Sequence, residues 1–336
     1  MSRAAVERYC RLIARFSRSR IVVAGDVIAD EFIYGRVERV SREAPVLILR
    51  YDSTEILPGG AGNAASNAAA LGARVELIGV AGADEAGRRL RASLPPRVSG
   101  RGLLRAAGYV TPVKTRILAG GVHSAKQQVV RIDKAGNMLS AALVKRAGDV
   151  VARALGSADA LIVSDYGAGL MSPDAWQRAM ARPGTRRGRS PIVVVDSRYS
   201  LTGFRGMTAC TPNQSEVEAM LGVRIEDDPA ALERAGRELL NRLDTRAVLI
   251  TRGSRGMALF ERNKATDHIP IVGSDQVADV TGAGDTVIAA FTLALSVGAA
   301  FGEAARIANY AGGIVVMKRG TATVSAAELT AAIRAS

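Results

Sequence analysis

Apolar and polar positions along this chain fall into two rhythms. Compact apolar runs close on a polar residue or glycine: Ile21 to Ala24 before Gly25-Asp26, Ala160 to Val163 before Ser164-Asp165, Ile192 to Val195 before Asp196, and Ala247 to Ile250 before Thr251. Such runs are too short for helices and read as strands buried on both faces. Val75 to Val80 and Met257 to Phe260 predict further strands. Helical patterning separates them. Residues 3–17 carry Val6, Leu12, Ile13 and Phe16 on one side, and 63–71, 141–155, 173–181, 230–243 and about 301–316 follow suit. Strand, polar end and helix in repetition predict a doubly wound α/β fold, which binds ligands at the carboxyl ends of its strands. Asp26, Asp165, Asp196 and Thr251 fall at those ends.

A second kind of strand mixes charge with β-branched and aromatic residues. Examples are Glu31 to Tyr34, Val46 to Leu49, Tyr109 to Val113, Lys114 to Leu118 and Gln127 to Ile132. Half-polar strands suit a small sheet with one open face. We expect the segments of about 30–52 and 109–133 to form a lid inserted in a single α/β domain spanning 1–336. His123 falls between two lid strands and is expected to be an ordinary loop histidine.

Composition narrows the function classes. The 336 residues are 48% hydrophobic, enough for a sizeable core. Lys and Arg number 45 against 32 Asp and Glu, a net charge of +13. The basic residues are spread, with clusters only at Arg3 to Arg20 and at Arg182, Arg186, Arg187 and Arg189, and aromatics are 4%. With little aromatic interleaving, nucleic acid is not the expected partner. Phosphorylated small molecules suit such a surface. Cys10 and Cys210 form no disulfide framework or metal spacing. With only His123 and His268 beside them, a zinc site or histidine triad is not expected. Neither a secretory h-region nor a membrane-spanning apolar run is present, so a soluble cytoplasmic protein is expected.

The chemistry concentrates in Asp279-Val280-Thr281-Gly282-Ala283-Gly284-Asp285-Thr286, which runs straight into an apolar helical segment. Backbone amides at a helix N-terminus hold an anion, and Asp285 in the first turn can take a proton from a hydroxyl beside it. The plainer alternative is a capping turn with a favourable charge. Asn213 and Glu216 have the spacing of a capping box, or can hold waters of a magnesium shell. Gly59-Gly60-Ala61-Gly62-Asn63 allows either close approach of a sugar or tight helix–strand packing. Lys114 and Arg116 alternate on one strand face. Arg131 and Arg42 can join them around a phosphate, unless the group is simply a solvated face. No P-loop is present.

Together these motifs resemble the ribokinase-like (PfkB) carbohydrate kinases over essentially the whole chain. Residues 59–63 resemble that family's N-terminal glycine signature and 279–285 its C-terminal one. Gly25 to Asp30, Phe32 to Gly35, Ser41 to Val46, Ser164 to Gly167 and Lys318 to Val324 are most similar to the subgroup acting on D-glycero-β-D-manno-heptose 7-phosphate in ADP-heptose synthesis. Many such proteins carry a fused nucleotidyltransferase; lacking an H-x-G-H element, this chain is expected to represent the kinase half. The resemblance implies Asp285 as base and the amides of Gly282, Ala283 and Gly284 as anion hole. It implies Asp30, Gly59, Gly60, Asn63 and Asp165 around the sugar, with Lys114, Arg116 and Arg131 for its phosphate. Asn213 and Glu216 fall near the ATP phosphates and Mg²⁺, and Thr251, Gly253, Gly256 and Asn309 at the nucleotide. Asp279 and Thr281 match positions that help bind a monovalent cation such as K⁺. A homodimer paired through the lids is also implied. The sequence departs from the subgroup at Ala168, where lysine is usual, at Ser197-Arg198, where Pro-Lys is usual, and at Arg36, where aspartate is usual. These departures leave the exact acceptor open. A kinase of a free sugar or nucleoside, or a non-catalytic sugar or nucleotide sensor, are the competing readings.

Overall fold

In the strand Arg20–Gly25 (β1), Ile21 and Val23 pack into one layer of helices and Val22 and Ala24 into the other. A strand buried on both faces has no polar side to offer water, which is why its sequence reads as an unbroken apolar run. The structure, a computed structural model, describes residues 1–120, 126–181, 190–273, 279–318 and 320–336. His123 and the arginines at 182, 186, 187 and 189 lie outside the described residues.

Helix α1 (Arg3–Ala14) precedes β1, and the long strands β2 (Val27–Val40) and β3 (Leu47–Gly60) follow it. Next come α2 (Ala61–Ala70), β4 (Arg74–Gly82), α3 (Glu85–Ala92), β5 (Val98–Ser99) and β6 (Leu103–Ala106). Strands β7 (Val113–Gly120) and β8 (Gln127–Lys134) lead to α4 (Ala141–Leu155), β9 (Ala160–Asp165), α5 (Pro173–Met180), β10 (Ile192–Ser197) and β11 (Ala209–Cys210). The remainder is α6 (Gln214–Leu221), α7 (Pro229–Arg242), β12 (Ala247–Thr251), β13 (Met257–Glu261), β14 (Asp267–Ile269), α8 (Ala283–Ser296), α9 (Phe301–Val315) and α10 (Ala326–Arg334).

The main sheet has the order β14-β13-β12-β11-β10-β9-β1-β4-β5, with β6 also beside β4. It is parallel from β11–β12 through to β4–β5, and antiparallel only at β12–β13 and β13–β14. The chain winds outward from β1 in both directions, so the crevice beside β1 and β9 is a topological switch point. Helices α1, α2, α8, α9 and α10 pack on one face; α4, α5 and α7 pack on the other. Among the described residues no helix is long and apolar enough to cross a membrane.

The second sheet has the order β3-β2-β7-β8. It is joined to the main sheet with almost no linker: β2 starts two residues after β1 ends, and β3 runs into α2 at Gly60/Ala61. The expected strand at Tyr109 to Val113 is corrected to an irregular segment that enters β7 only at Val113. Its polar groups are held sideways. The Thr111 amide and hydroxyl both donate to Asp84, at 2.9 and 2.6 Å, and the Val110 amide donates to Asn137. Pro112 adds no donor of its own. The helix expected from Asn63 begins earlier, at Ala61, because Gly60 with φ +57 turns the chain directly into it.

Candidate active site

Asp285 stands in the first turn of α8, whose N-cap Gly282 adopts a left-handed φ of +75. Only glycine suits that position: besides the backbone strain, a Cβ there would sit 2.3 Å from Asn63 Nδ2. The close approach brings the Asn63 amide to Asp285 Oδ2 at 2.8 Å, while the Tyr166 hydroxyl donates to Oδ1 at 3.2 Å. Asn63 is held in turn by Asn67, which donates to its carbonyl and side-chain oxygen and accepts from Thr286. Burial raises the Asp285 carboxyl to about 7, against the lowering effect of Asn63. Asp30 raises it further, and Tyr166 and Lys114 lower it. A carboxyl near 7 is matched to general-base work at neutral pH.

A cavity of about 370 Å³ opens beside this turn. Asp165, Asp196, Asn213, Glu216, Gly282 and Gly284 are among the residues that line it. The strand-end acids do not all play one part. Asp165 accepts from the Ser197 hydroxyl at 2.6 Å and the Gly167 amide at 3.0 Å, and Asp26 accepts from the amides of Tyr166 and Ala168. Burial lifts Asp26 to about 6 despite those amides. These two carboxylates shape the loop after β9. Asp196 is different: burial, then Glu216 and Asp285, push its proton affinity well up. A buried acid raised by neighbouring acids in one cavity suits a cation.

Asn213 and Glu216 form a full capping box at α6, with the Glu216 amide donating to Asn213 Oδ1 and the Asn213 amide to Glu216 Oε2, both at 2.9 Å. Capping and cavity lining are therefore compatible roles. Among the described residues no group of three or more His, Cys, Asp or Glu gathers as a ready-made metal cage. Mg²⁺ does not need one, since it takes one or two carboxylates beside phosphates and water. Asp196 and Glu216 fit that demand. Asp279 also holds backbone. Its oxygens accept the amides of Thr281 at 2.9 Å and Gly320 at 3.0 Å, pinning the glycine turn to the C-terminal tail. Of the three expected anion-hole amides, that of Ala283 donates to the Val280 carbonyl at 3.2 Å.

An adjoining, more apolar cavity of about 190 Å³ is lined by Thr251, Gly253, Gly256, Val287, Asn309 and Val316, among others. It gathers the four residues expected at the nucleotide. On the opposite side, under the second sheet, a cavity of about 380 Å³ includes Lys114, Arg131, Asp133, Tyr166, Ala168 and Arg198 in its wall. Burial lowers the Lys114 ammonium, which lies 4.9 Å from the centre of the Tyr166 ring.

Six expected sugar or phosphate residues, Asp30, Gly59, Gly60, Asn63, Arg116 and Arg42, are not in the walls of these three cavities. Arg116 is turned into the sheet and paired with Asp30 at 2.6 Å, both side chains buried, so that the two neutralise each other. Gly59 and Gly60 are needed by packing: a Cβ would meet Asp30 Oδ2 at 2.3 Å in one case and the Asp26 carbonyl at 2.4 Å in the other. Arg42 is exposed on the hairpin between β2 and β3, and Arg36 pairs with Asp52. Sequence reasoning did not assign roles to Tyr166 or Asp196. The strand-end position of Asp196 was a signal for it; nothing local marked the reach of Tyr166 to Asp285.

The pfkB family of carbohydrate kinases matches residues 18–328. Curated relatives include the bifunctional protein HldE of Citrifermentans bemidjiense, 40% identical over 335 residues, a match covering 99% of this chain and 66% of that protein. The bifunctional protein HldE of Geobacter metallireducens is 40% identical over 309 residues, covering 92% of this chain and 61% of that one. The chain thus spans about two thirds of the length of these relatives. Among solved structures, Arabidopsis thaliana ribokinase complexed with ribose and ATP has a TM-score of 0.71 at 18% identity, covering 94% of this chain and 99% of that one. Escherichia coli phosphofructokinase-2 in complex with potassium has a TM-score of 0.73 at 18% identity, with the same coverage. At that identity the likeness is one of fold: the architecture is ribokinase-like.

Proposed function

The chain belongs to the pfkB family of carbohydrate kinases, and from that premise we propose that it transfers the γ-phosphoryl group of ATP to a hydroxyl of a phosphorylated sugar. The acceptor that its motifs favour is D-glycero-β-D-manno-heptose 7-phosphate, giving the 1,7-bisphosphate. One observation carries the reading: the buried Asp285 has the glycine-turn cavity on one side and, across Tyr166, a cavity holding Lys114, Arg131 and Arg198 on the other. Arg131 there is paired with Asp133, which leaves Lys114 and Arg198 on either side of the Tyr166 ring; a neutral sugar has no use for these two cations, whereas a second phosphate does.

In this mechanism Asp285 Oδ accepts the proton of the acceptor hydroxyl as its oxygen attacks the γ-phosphorus, the bond from that phosphorus to the β,γ-bridging oxygen breaks, and ADP leaves. The first-turn amides of α8 meet the charge spread over the equatorial oxygens. The nucleotide lies along Thr251, Gly253, Gly256 and Asn309. Asp196 and Glu216 would hold Mg²⁺, which would supply charge neutralisation of the phosphates. A monovalent cation would sit at Thr281 and Asp279, and two lids would close over each other in a homodimer. With ATP as donor, a cytoplasmic reaction is part of this reading.

The test is ADP release with ATP and a panel of phosphorylated and free sugars. Phosphorylated acceptors should dominate; a preference for neutral sugars would overturn the acceptor assignment. Asp285→Asn should lower kcat by about 10²–10⁴-fold while ATP affinity, read by calorimetry, stays close to wild type. The sign of the pH dependence follows from Asp285 acting ionised. Turnover should climb as pH rises through about 7, the raised position of its carboxyl, and be lost below it. A flat profile from pH 5 to 8 would exclude Asp285 as the base.

A further inference from the structure

Tyr166 and Arg198 are the two side chains shared by the glycine-turn cavity and the basic cavity under the second sheet. They form the wall between the two. The ring of Tyr166 is flanked by Lys114 Nζ at 4.9 Å and the Arg198 guanidinium at 5.2 Å, and its hydroxyl donates to Asp285. Its backbone is fixed independently. The amides of Tyr166 and Ala168 both donate to Asp26 Oδ2, at 2.8 and 2.9 Å, and the intervening Gly167 amide donates to Asp165. Gly167 has φ +86, and a Cβ there would meet the Tyr199 ring at 2.8 Å. A phenol held this firmly by its own loop is a placed group rather than a side chain resting where space allowed.

We propose that Tyr166 is the positioning residue of this site, its hydroxyl orienting the Asp285 carboxylate and its ring coupling that carboxylate to the two cations, Lys114 and Arg198, that receive the acceptor's anionic group. The proposal rests on the kinase reading given above. It makes the ring a gauge: the acceptor's hydroxyl lies on one side of it and its phosphate on the other. Cations over a ring face are held by its quadrupole, so an anion drawing on Lys114 and Arg198 also reads where Tyr166 stands.

The groups that face Asp285 are Asn63 on α2, Asp30 on β2, Lys114 on β7, Tyr166 after β9 and Asp196 on β10. Tyr166→Phe removes one donor from this set and leaves ring and cations in place. Losing a donor to the ionised carboxylate raises its pKa, so the acidic limb of the kcat/KM profile should move to higher pH. The value of kcat should fall roughly tenfold, with KM for ATP unchanged. Tyr166→Leu removes the ring as well, and KM for the phosphorylated acceptor should rise while KM for ATP does not. A Tyr166→Phe enzyme with the wild-type limb and wild-type kcat overturns the proposal. If the wild type turns over only neutral sugars, the acceptor assignment fails, and the limb is compared on that sugar instead. If no acceptor is turned over, carbon-detected NMR titration of Asp285 in both proteins makes the same comparison, and equal midpoints overturn the role of Tyr166.

Discussion

Arg116 was legible in the sequence as one of two cations on a strand face, and that much the backbone bears out: Lys114 pairs with Asp30 and Arg116 with Phe32 across β2 and β7. What the pattern did not carry was the partner. Asp30 lies 86 residues away in sequence, and its carboxylate claims Arg116 at 2.6 Å. Charge identity is local information; charge pairing is not. The pair sits with side chains 9% and 6% exposed, so removing one partner strands the other. Arg116→Ala should therefore destabilise by about 3–5 kcal/mol, read as a lowered denaturant midpoint. Adding Asp30→Asn should recover part of the loss, and full stability in Arg116→Ala alone would show that the pair is dispensable.

At the scale of elements, legibility followed the strength of the local signal. The run Ala160 to Val163 and the box of Asn213 with Glu216 announce a buried strand and a helix start by chemistry that neighbours cannot override. Tyr109 to Pro112 looked like a strand by composition, but Asp84 and Asn137 take its polar groups, and both are distant in sequence. The glycine turn is the instructive case. Its two readings, capping turn and anion site, describe one geometry, since Gly282 caps α8 and thereby sets Asp285 beside Asn63. Gly282→Ala forces a side chain into a left-handed φ and against Asn63 Nδ2. The strain should cost about 1–3 kcal/mol, seen in Tm, with a loss of kcat at least tenfold because Asn63 must move. A variant of normal Tm and normal kcat would mean that the turn relaxes freely.

At the scale of the molecule, the second sheet has two dissimilar faces. Lys114, Arg131 and Asp133 line the cavity. On the other face Ile117 lies between Ile33 and Val130, and Ile132 next to Thr115. Val130 and Ile132 are 46% and 54% exposed. An outward apolar patch on a strand at the sheet edge needs cover, which a second lid supplies in the proposed homodimer. Light scattering should give a dimer at micromolar concentration, and Ile132→Glu should give a monomer; a monomeric wild type would remove this part of the proposal. That the lid strands form a separate sheet was readable from their half-polar pattern. That β7 lies between β2 and β8 was not, because order within a sheet is set by pairings far apart in the chain.

The seamless junction of β3 and α2 has a consequence for how the chain can vary in length. Gly60 closes the strand, the Ala61 amide donates to the Asp26 carbonyl at 3.0 Å, and Asn63 follows two residues later with its amide on Asp285. One residue inserted between Ala61 and Asn63 would rotate the asparagine by about 100° around the helix axis and swing its donor off the carboxylate. One residue deleted would do the same in the other direction. The hairpin tip at Arg42 to Pro45 is exposed and carries no such constraint. The junction thus acts as a reading frame written in three dimensions: its length is fixed as tightly as its glycines.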